Sequence, residues 1–315
     1  MIDKMARGIA KHPKTVLIVC LILLIPSIIC YLNTFVNYDI LSYLPEDLNS
    51  VQGEHILDKT FNNAASAIVV IENEDQKTAV KLKEEISEID GVSNVMWVDD
   101  IADISIPEDM LPDDLKNVFY SKDGNATLMM VQFTQGGASE STMDAIKSIR
   151  KCMNKNMFMS GVSTIMYDTK ALADAQAPLY VVIAIALALI VLMFTLKSYV
   201  LPFVLLMALC TAVVYNMGTN IFFGQISYIT QCIAAILQLG VTMDYSVFLM
   251  DRYEEECKHN DDRTMAMASA ISSTFVSLAG SSLTTVFGFL ALCFMSFTLG
   301  LDLGVVMAKG VVLGV

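Results

Sequence analysis

The sequence predicts an α-helical transmembrane bundle with one α+β domain looped out between its first and second spans. Three observations carry this. The 315 residues are 55% hydrophobic and only 17% charged, with a mean hydropathy of +0.56, whereas a soluble domain carries about 25% charge. The charge is also segregated: residues 34–176 hold 24 Asp+Glu against 11 Lys+Arg, and the remainder holds 9 of each. Finally, the apolar residues outside 34–176 gather in runs long enough to cross most of a bilayer.

In chain order, residues 1–14 (MIDKMARGIAKHPK) carry Lys4, Arg7, Lys11 and Lys14, with Ile2, Met5 and Ile9 at helical spacing. They read as a basic amphipathic helix on the cytoplasmic surface. Residues 15–33 form the first span; no small-x-small cleavage site follows it, so it reads as a retained helix rather than a signal peptide. Spans two to five are Pro178–Leu196, Tyr199–Asn220, Gln225–Met250 and a run within Ala268–Phe297. Leu299–Val315 begins a sixth, so 177–315 read as a bundle cut by the chain end, the front part of a longer protein. The basic N-terminus, Lys197 and the Arg252–Arg263 loop fall on one side, the cytoplasmic one, leaving 34–176 extracytoplasmic in a cell membrane.

Within 34–176, strand-like Ser66–Glu72 precedes a helix over Asp75–Ile89 with Ala79, Leu82, Ile86 and Ile89 on one face. A strand at Val92–Val98, a strand at Ala126–Thr134, a helix over Ser139–Met153 and a short strand at Asn156–Ser160 follow. The order β-α-β-β-α-β is that of a ferredoxin-like module. The insert 99–124 reads as a loop with a short helix near Pro112–Val118. Cys152 is the one cysteine in 34–176, so no internal disulfide closes there. No metal-ligand spacing, nucleophile motif or phosphate loop appears, so the reading is not an enzyme and requires no cofactor. The acidic balance disfavours nucleic acid as a partner.

The fourth span reads ILQLGVTMDYSVFLMDRYEEE. Asp244 is the one acidic residue inside spans two to five, which hold no Lys or Arg to pair with it. It lies about 10–12 Å inside the end marked by Asp251 and Arg252, at 1.5 Å per residue. A charged side chain at depth costs roughly 2.5–3.5 kcal/mol on insertion scales, and intramembrane acids usually mark ion paths. Tyr245 adds a hydroxyl that can donate and accept. The bland alternative is an Asp near a helix end, hydrated by a local water defect. In the fifth span, Ser277, Ser281, Thr284, Gly288 and Ala291 recur every three or four residues. Such a stripe suits close helix packing; lining the Asp244 site through Ser281, Thr284 or Thr285 is the second reading. Gln231 and Gln238 share a face of the fourth span, and Gln238 is a further candidate for that lining.

GVTMDYSVFLMDRYEEE resembles the fourth-helix signature of the RND superfamily, in particular its MMPL and hydrophobe/amphiphile-exporter branch. Gly240, Asp244, Tyr245, Phe248, Leu249, Arg252, Glu254 and Glu255 carry the likeness. SSLTTVFGFLAL (Ser281–Leu292, with Gly288) resembles the fifth-helix signature, and VNYDILSYLPED (Val36–Asp47) the exit from the first helix. The resemblance implies the N-terminal half of a twelve-helix transporter whose Asp-Tyr pair relays protons, here Asp244 and Tyr245. It further implies that proton flow drives export of lipids or amphiphiles through outer porter domains, the proton being the coupling ion. Implied partners are the lipid bilayer, a hydrophobic or amphiphilic substrate, and a missing C-terminal half, a second copy or a homo-oligomer. A protein-translocation accessory of the same superfamily and a sterol-sensing or receptor-like protein are the competing readings.

Overall fold

The computed structural model describes residues 2–61, 65–102 and 110–315. Residues 103–109 of the insert therefore lie outside the described residues. The elements in chain order are α1 (Ile2–Lys11), α2 (Pro13–Asn33), β1 (Phe35–Asn37), α3 (Asn49–Phe61), β2 (Ala65–Glu72) and α4 (Gln76–Ser87), then β3 (Val92–Met96), α5 (Asp113–Phe119), β4 (Ala126–Phe133) and α6 (Glu140–Cys152). β5 (Met157–Ser160), α7 (Val162–Thr195), α8 (Leu201–Gly218), β6 (Gln225–Ser227), α9 (Tyr228–Glu256), α10 (Arg263–Ala291) and α11 (Leu299–Gly314) complete them. The chain divides into two compact units, residues 1–44 with 173–315, and residues 45–172.

Five helices of the first unit are long and apolar enough to cross a membrane. The first, α2, is 21 residues long and buries none of them within the chain, as suits a helix apolar all round in a lipid solvent. Pro13 starts it, where a missing N–H costs nothing. On α1, Ala6 is buried while Met5 and Ile9 stay exposed, leaving the apolar edge of that helix open. The second span departs from the sequence reading, which starts it at Pro178. The helix begins at Val162 and runs through Pro178. Asp168, Lys170 and Asp174 make its first turns polar, and proline, a common helix starter, sits inside it instead. The fourth span also starts later than expected, at Tyr228, because Gln225–Ser227 pair in parallel with Phe35–Asn37. That clasp joins the exit of α2 to the start of α9.

Close approach is set by glycine. A Cβ on Gly218 would run into the Ser27 carbonyl of α2, and one on Gly310 would lie 2.5 Å from the Asn216 amide nitrogen. Neither space admits a side chain.

In the second unit, β3, β4, β2 and β5 lie in that order in one antiparallel sheet. Strand β2 alternates: Ala65, Ala67, Val69 and Ile71 are buried, and the residues between them are not, the period-two pattern of a half-covered sheet. Ala79, Leu82 and Ile86 of α4 and Ala145, Ile146 and Ile149 of α6 join those residues in one core with Trp97, Met129, Val131 and Phe133. Asp75 and Ser139 start the two helices by accepting the Thr78 and Thr142 N–H groups at 3.0 and 3.2 Å, the expected capping chemistry. Trp97 is fully buried and donates to Thr127 at 2.8 Å, and Thr127 donates to the Phe119 carbonyl at 2.9 Å. That relay fastens α5 to β4. Helix α3 was not expected: NSVQGEHILDKTF shows no regular apolar stripe. The seven cysteines are all free.

The Lys83 ammonium bridges Asp99 at 2.6 Å and Asp100 at 2.7 Å, and Asp100 also accepts the Trp97 N–H at 2.8 Å. Burial alone would raise the Asp100 carboxyl, but the bonds from Lys83 and Trp97 outweigh it and hold it below its ordinary value. Burial would likewise lower Lys83, and the bonds to Asp100 and Asp99 outweigh it and raise it. The Asp100 contribution is therefore complete above about pH 4 and is lost as the pH falls through its depressed folded value. The Lys83 contribution is complete below about pH 10 and is lost as the pH rises through its raised folded value.

Two predictions follow from this packing. Lys83→Met should destabilise the second unit by about 1 kcal/mol near neutral pH, and the gap to the parent should shrink at both pH extremes. Denaturant titration followed by the fluorescence of Trp97, the one tryptophan, reads this out; a gap independent of pH would refute it. Gly218→Ala should cost about 1–3 kcal/mol through overpacking, whereas Gly280→Ala, with nothing within 4 Å of the added Cβ, should be tolerated. Thermal loss of helicity in detergent compares them.

Candidate functional site

Asp244 opens onto a cleft of about 610 Å³ between α9 and α10. Helix α9 contributes Gly240, Val241, Asp244, Tyr245 and Phe248, and α10 contributes Ser277, Leu278, Ser281 and Thr285. Positions 241, 244, 245 and 248 recur at three and four residues, and so do 277, 278, 281 and 285, so each helix turns one continuous face to the cleft. One wall carries the carboxylate and the phenol; the other is small and hydroxyl-bearing. The Thr285 hydroxyl donates to the Ser281 carbonyl at 3.2 Å, which satisfies it inside its own helix.

The Asp244 side chain is exposed, and among the described residues its carboxylate has neither a hydrogen bond nor an ion pair. Tyr245 is buried, with 8% of its surface exposed. The two share the cleft without a hydrogen bond joining them. A Cβ on Gly240 or on Gly288 would meet nothing within 4 Å, so these glycines are not there for close packing inside the chain. The stripe of Ser277, Ser281, Thr284, Gly288 and Ala291 is exposed along its length. Within this chain it packs no helix face; it borders open space.

Two expected lining residues lie elsewhere. Thr284 donates to the Gly280 carbonyl at 3.1 Å and stands outside the cleft. Gln238 is fully buried on a different face of α9, about a third of a turn around from Asp244 at 100° per residue. It accepts from the Asn216 amide at 2.8 Å, donates to the Gly310 carbonyl at 3.1 Å, and its backbone carbonyl accepts the Thr242 hydroxyl at 2.7 Å. It therefore locks α8, α9 and α11 together.

The charged end of the motif is a clamp. The Arg252 guanidinium binds Glu255 at 2.5 Å and Glu256 at 3.1 Å, and donates to Ser273 of α10 at 3.1 Å. It joins the two walls eight residues beyond Asp244, about 12 Å along the axis. Glu254 stands 3.6 Å from Lys197 in an exposed pair, worth little by itself.

Sequence reasoning passed over two ionisable residues of α11. Asp302 accepts the Ser227 N–H at 2.7 Å and the Thr230 hydroxyl at 2.8 Å. Lys309 donates to the Asn216 carbonyl at 2.9 Å and the Asn220 side-chain carbonyl at 2.5 Å, and its ammonium sits 5.1 Å from the centre of the Phe223 ring. The signal was present in LGLDLGVVMAKGVVLG: two charges seven residues apart fall on one helical face. Both are engaged by neighbours through at least one oxygen or the ammonium, whereas neither oxygen of Asp244 has a partner among the described residues.

In the second unit, the open face of the sheet carries Ile68, Met130 and Phe158, each more than a third exposed. Ile68 pairs with Met130, and Phe158 pairs with Val70, two residues on from Ile68 on the same face of β2, so the apolar surface is continuous across three strands.

Comparison with known proteins places these features in a family. A protein of Methanocaldococcus jannaschii named as a membrane protein is 24% identical over 259 residues, covering 75% of this chain and 66% of that protein. The probable transport protein MmpL12 of Mycobacterium tuberculosis is 23% identical over 202 residues, covering 61% of this chain and 18% of its own length. The apo-petrobactin exporter of Bacillus anthracis is 23% identical over 270 residues, covering 78% of this chain and 36% of its own length. The chain thus spans between 18% and 66% of the length of these relatives. Residues 42–315 match the MMPL family, more than half of the sequence, and the chain, with its unpartnered Asp244 beside Tyr245, belongs to that family.

Proposed function

We propose that the chain is part of a proton-driven secondary exporter of hydrophobic or amphiphilic compounds in a cell membrane. The observation that carries this reading is the unpartnered Asp244 carboxylate in a cleft between two membrane helices. Ionisable side chains within membrane spans commonly mark ion paths. Taking up a proton from one side neutralises one unit of charge in the cleft, and losing it to the other side restores that charge. Tyr245 can pass or orient that proton through its hydroxyl. Ser281 and Thr285 supply hydroxyls on the facing wall that can hold water in the path.

A carboxylate changes the cleft only if the walls respond to its charge. The Arg252 clamp fixes one end of α9 against α10, so the cleft can widen or close chiefly around Asp244. This is the kind of two-state element that a single protonation can bias.

The second unit reads as a ferredoxin-like porter module. Its strand order, with β2 and β4 in the middle of four antiparallel strands and two helices on one face, supports that reading. Its apolar open face offers surface for a greasy substrate or for a neighbouring module. The basic first helix supports a cytoplasmic N-terminus, with residues 34–176 extracytoplasmic. The export direction draws on the relative named as an exporter. The working transporter would need a C-terminal half or a second copy to complete the cleft and the porter.

Reconstitution into vesicles tests this. With an inward-acid pH gradient, the full-length protein should couple movement of a hydrophobic dye such as Nile red to proton flux read by an enclosed pH-sensitive dye. Asp244→Asn should reduce both to the level of protein-free vesicles while leaving folding and insertion intact. Tyr245→Phe should slow coupling roughly tenfold if its hydroxyl bonds the proton in transit, the worth of about one hydrogen bond. Full proton-coupled transport by Asp244→Asn would sink the assignment.

A further inference from the structure

A second cavity lies at the start of α11, away from Asp244, with a volume of about 410 Å³. That is within the usual range of ligand sites, about 300–1,000 Å³. Phe223, Leu301, Val305 and Val306 give it apolar walls, Gln225 and Thr298 add polar ones, and two ionisable groups, Tyr43 and Asp302, line it as well.

Both ionisable groups have unused capacity. The two bonds to Asp302, from the Ser227 N–H and the Thr230 hydroxyl, end on the same oxygen, Oδ2. Its Oδ1 accepts nothing among the described residues. Tyr43 is 7% exposed, yet its hydroxyl closes no hydrogen bond. The neighbouring Ser227 hydroxyl accepts the Ile229 N–H at 3.2 Å and keeps its own O–H to turn toward the Tyr43 oxygen, which leaves the Tyr43 O–H itself without an acceptor. A buried hydroxyl left unmade costs about 1–3 kcal/mol, so it calls for a partner. Tyr43 is also held in place: its carbonyl accepts the Thr298 N–H at 3.0 Å and the Thr298 hydroxyl at 2.9 Å. Burial, then the nearby Asp302 carboxylate, pushes its phenol up to about 12, so it remains a neutral hydroxyl at any physiological pH.

The charges in reach choose the ligand. Asp302 and Asp39 both act on Tyr43. The one cation nearby on α11, Lys309, is engaged by Asn216 and Asn220. An anionic headgroup would meet Asp302 head on, and an uncharged one would leave Oδ1 without a charged partner. We propose that this cavity binds an amphiphile bearing a protonated amine, with the ammonium between Asp302 Oδ1 and the Tyr43 hydroxyl and the alkyl chain along Leu301 and Val305. The site makes no use of Asp244, and its test needs no transport, so it stands or falls apart from proton coupling.

Binding of radiolabelled dodecylamine to the full chain in phosphatidylcholine nanodiscs, corrected for empty discs, is the measurement. Dodecanol is the neutral isostere. Unlabelled dodecylamine should displace the label at least tenfold better than dodecanol. Val305→Trp, which fills the cavity and leaves the Asp302 bonds untouched, should abolish specific binding. Tyr43→Phe should weaken it roughly tenfold. Asp302→Asn, where it folds, should erase the preference for amine over alcohol. Equal displacement by amine and alcohol in the parent protein, or undiminished amine binding by Val305→Trp, would overturn the proposal.

Discussion

A polar group in hydrocarbon has no water to fall back on, and the first unit is organised around that constraint. Its hydroxyls turn back onto their own helices: Ser27 onto Leu23, Thr195 onto Val191, Thr211 onto Met207 and Thr274 onto Ala270. Its amides, Asn216 and Gln238, pair with each other and with the Gly310 carbonyl. Its lysine in α11 finds two carbonyl oxygens. The exceptions among the described residues are few: the Tyr43 hydroxyl and Asn216 Oδ1 are buried without a partner, and the Asp244 carboxylate opens onto its cleft without one.

The second unit is built differently. It carries the acidic excess of the chain, and its one cysteine, Cys152, is free. Its stability rests on one core in which Trp97, Phe133, Met129 and Ile146 are fully enclosed, each such side chain worth about 1.5–3 kcal/mol by area. The polar connections are placed where strands and helices must be joined to loops: Trp97 to Thr127, Lys83 to the turn after β3, and Arg150 to Asp168 at 2.5 and 2.8 Å. The acidic surplus itself takes little part in holding the fold, since most of it is solvated.

Much of this was legible in the residues. Period-two alternation in SAIVVIE and the three-four spacing of Ala79, Leu82 and Ile86 identify elements whose cores form locally. The short helix near Pro112 was equally readable, from a proline followed by two aspartates at a helix start. The illegible parts depend on partners distant in sequence. Phe35–Asn37 becomes a strand because Gln225–Ser227 lies beside it, and three residues carry no such pattern alone. The polar start of α7 looks like a loop, and Pro178 looks like a boundary. Of the candidate site, Asp244, Tyr245, Gly240, Phe248, Ser281 and Thr285 do meet at one cleft, since helical spacing alone puts each set on one face. Gln238 did not, because spacing says which face a residue shares but not which neighbour that face meets. Asp302 and Lys309 lie in the sixth apolar run, and their partners Ser227, Thr230, Asn216 and Asn220 are distant in sequence, so spacing alone does not reveal them.

That distinction between faces matters most on α9. One face carries Ala234, Gln238 and Thr242, all buried, and is fastened to α8 and α11 by the Asn216–Gln238–Gly310 bonds. The adjoining face carries Gly240, Asp244 and Phe248 and borders the open cleft. Glycine is used in opposite senses on the two sides. At Gly310 it admits a close contact that a Cβ would block, while at Gly240 it leaves room that nothing fills. A helix held rigidly along one side can present a charged group on the other without losing its place. The firm packing of α9 against α8 and α11 is thus what allows Asp244 to remain unsatisfied, and the locked and open faces are two parts of one arrangement.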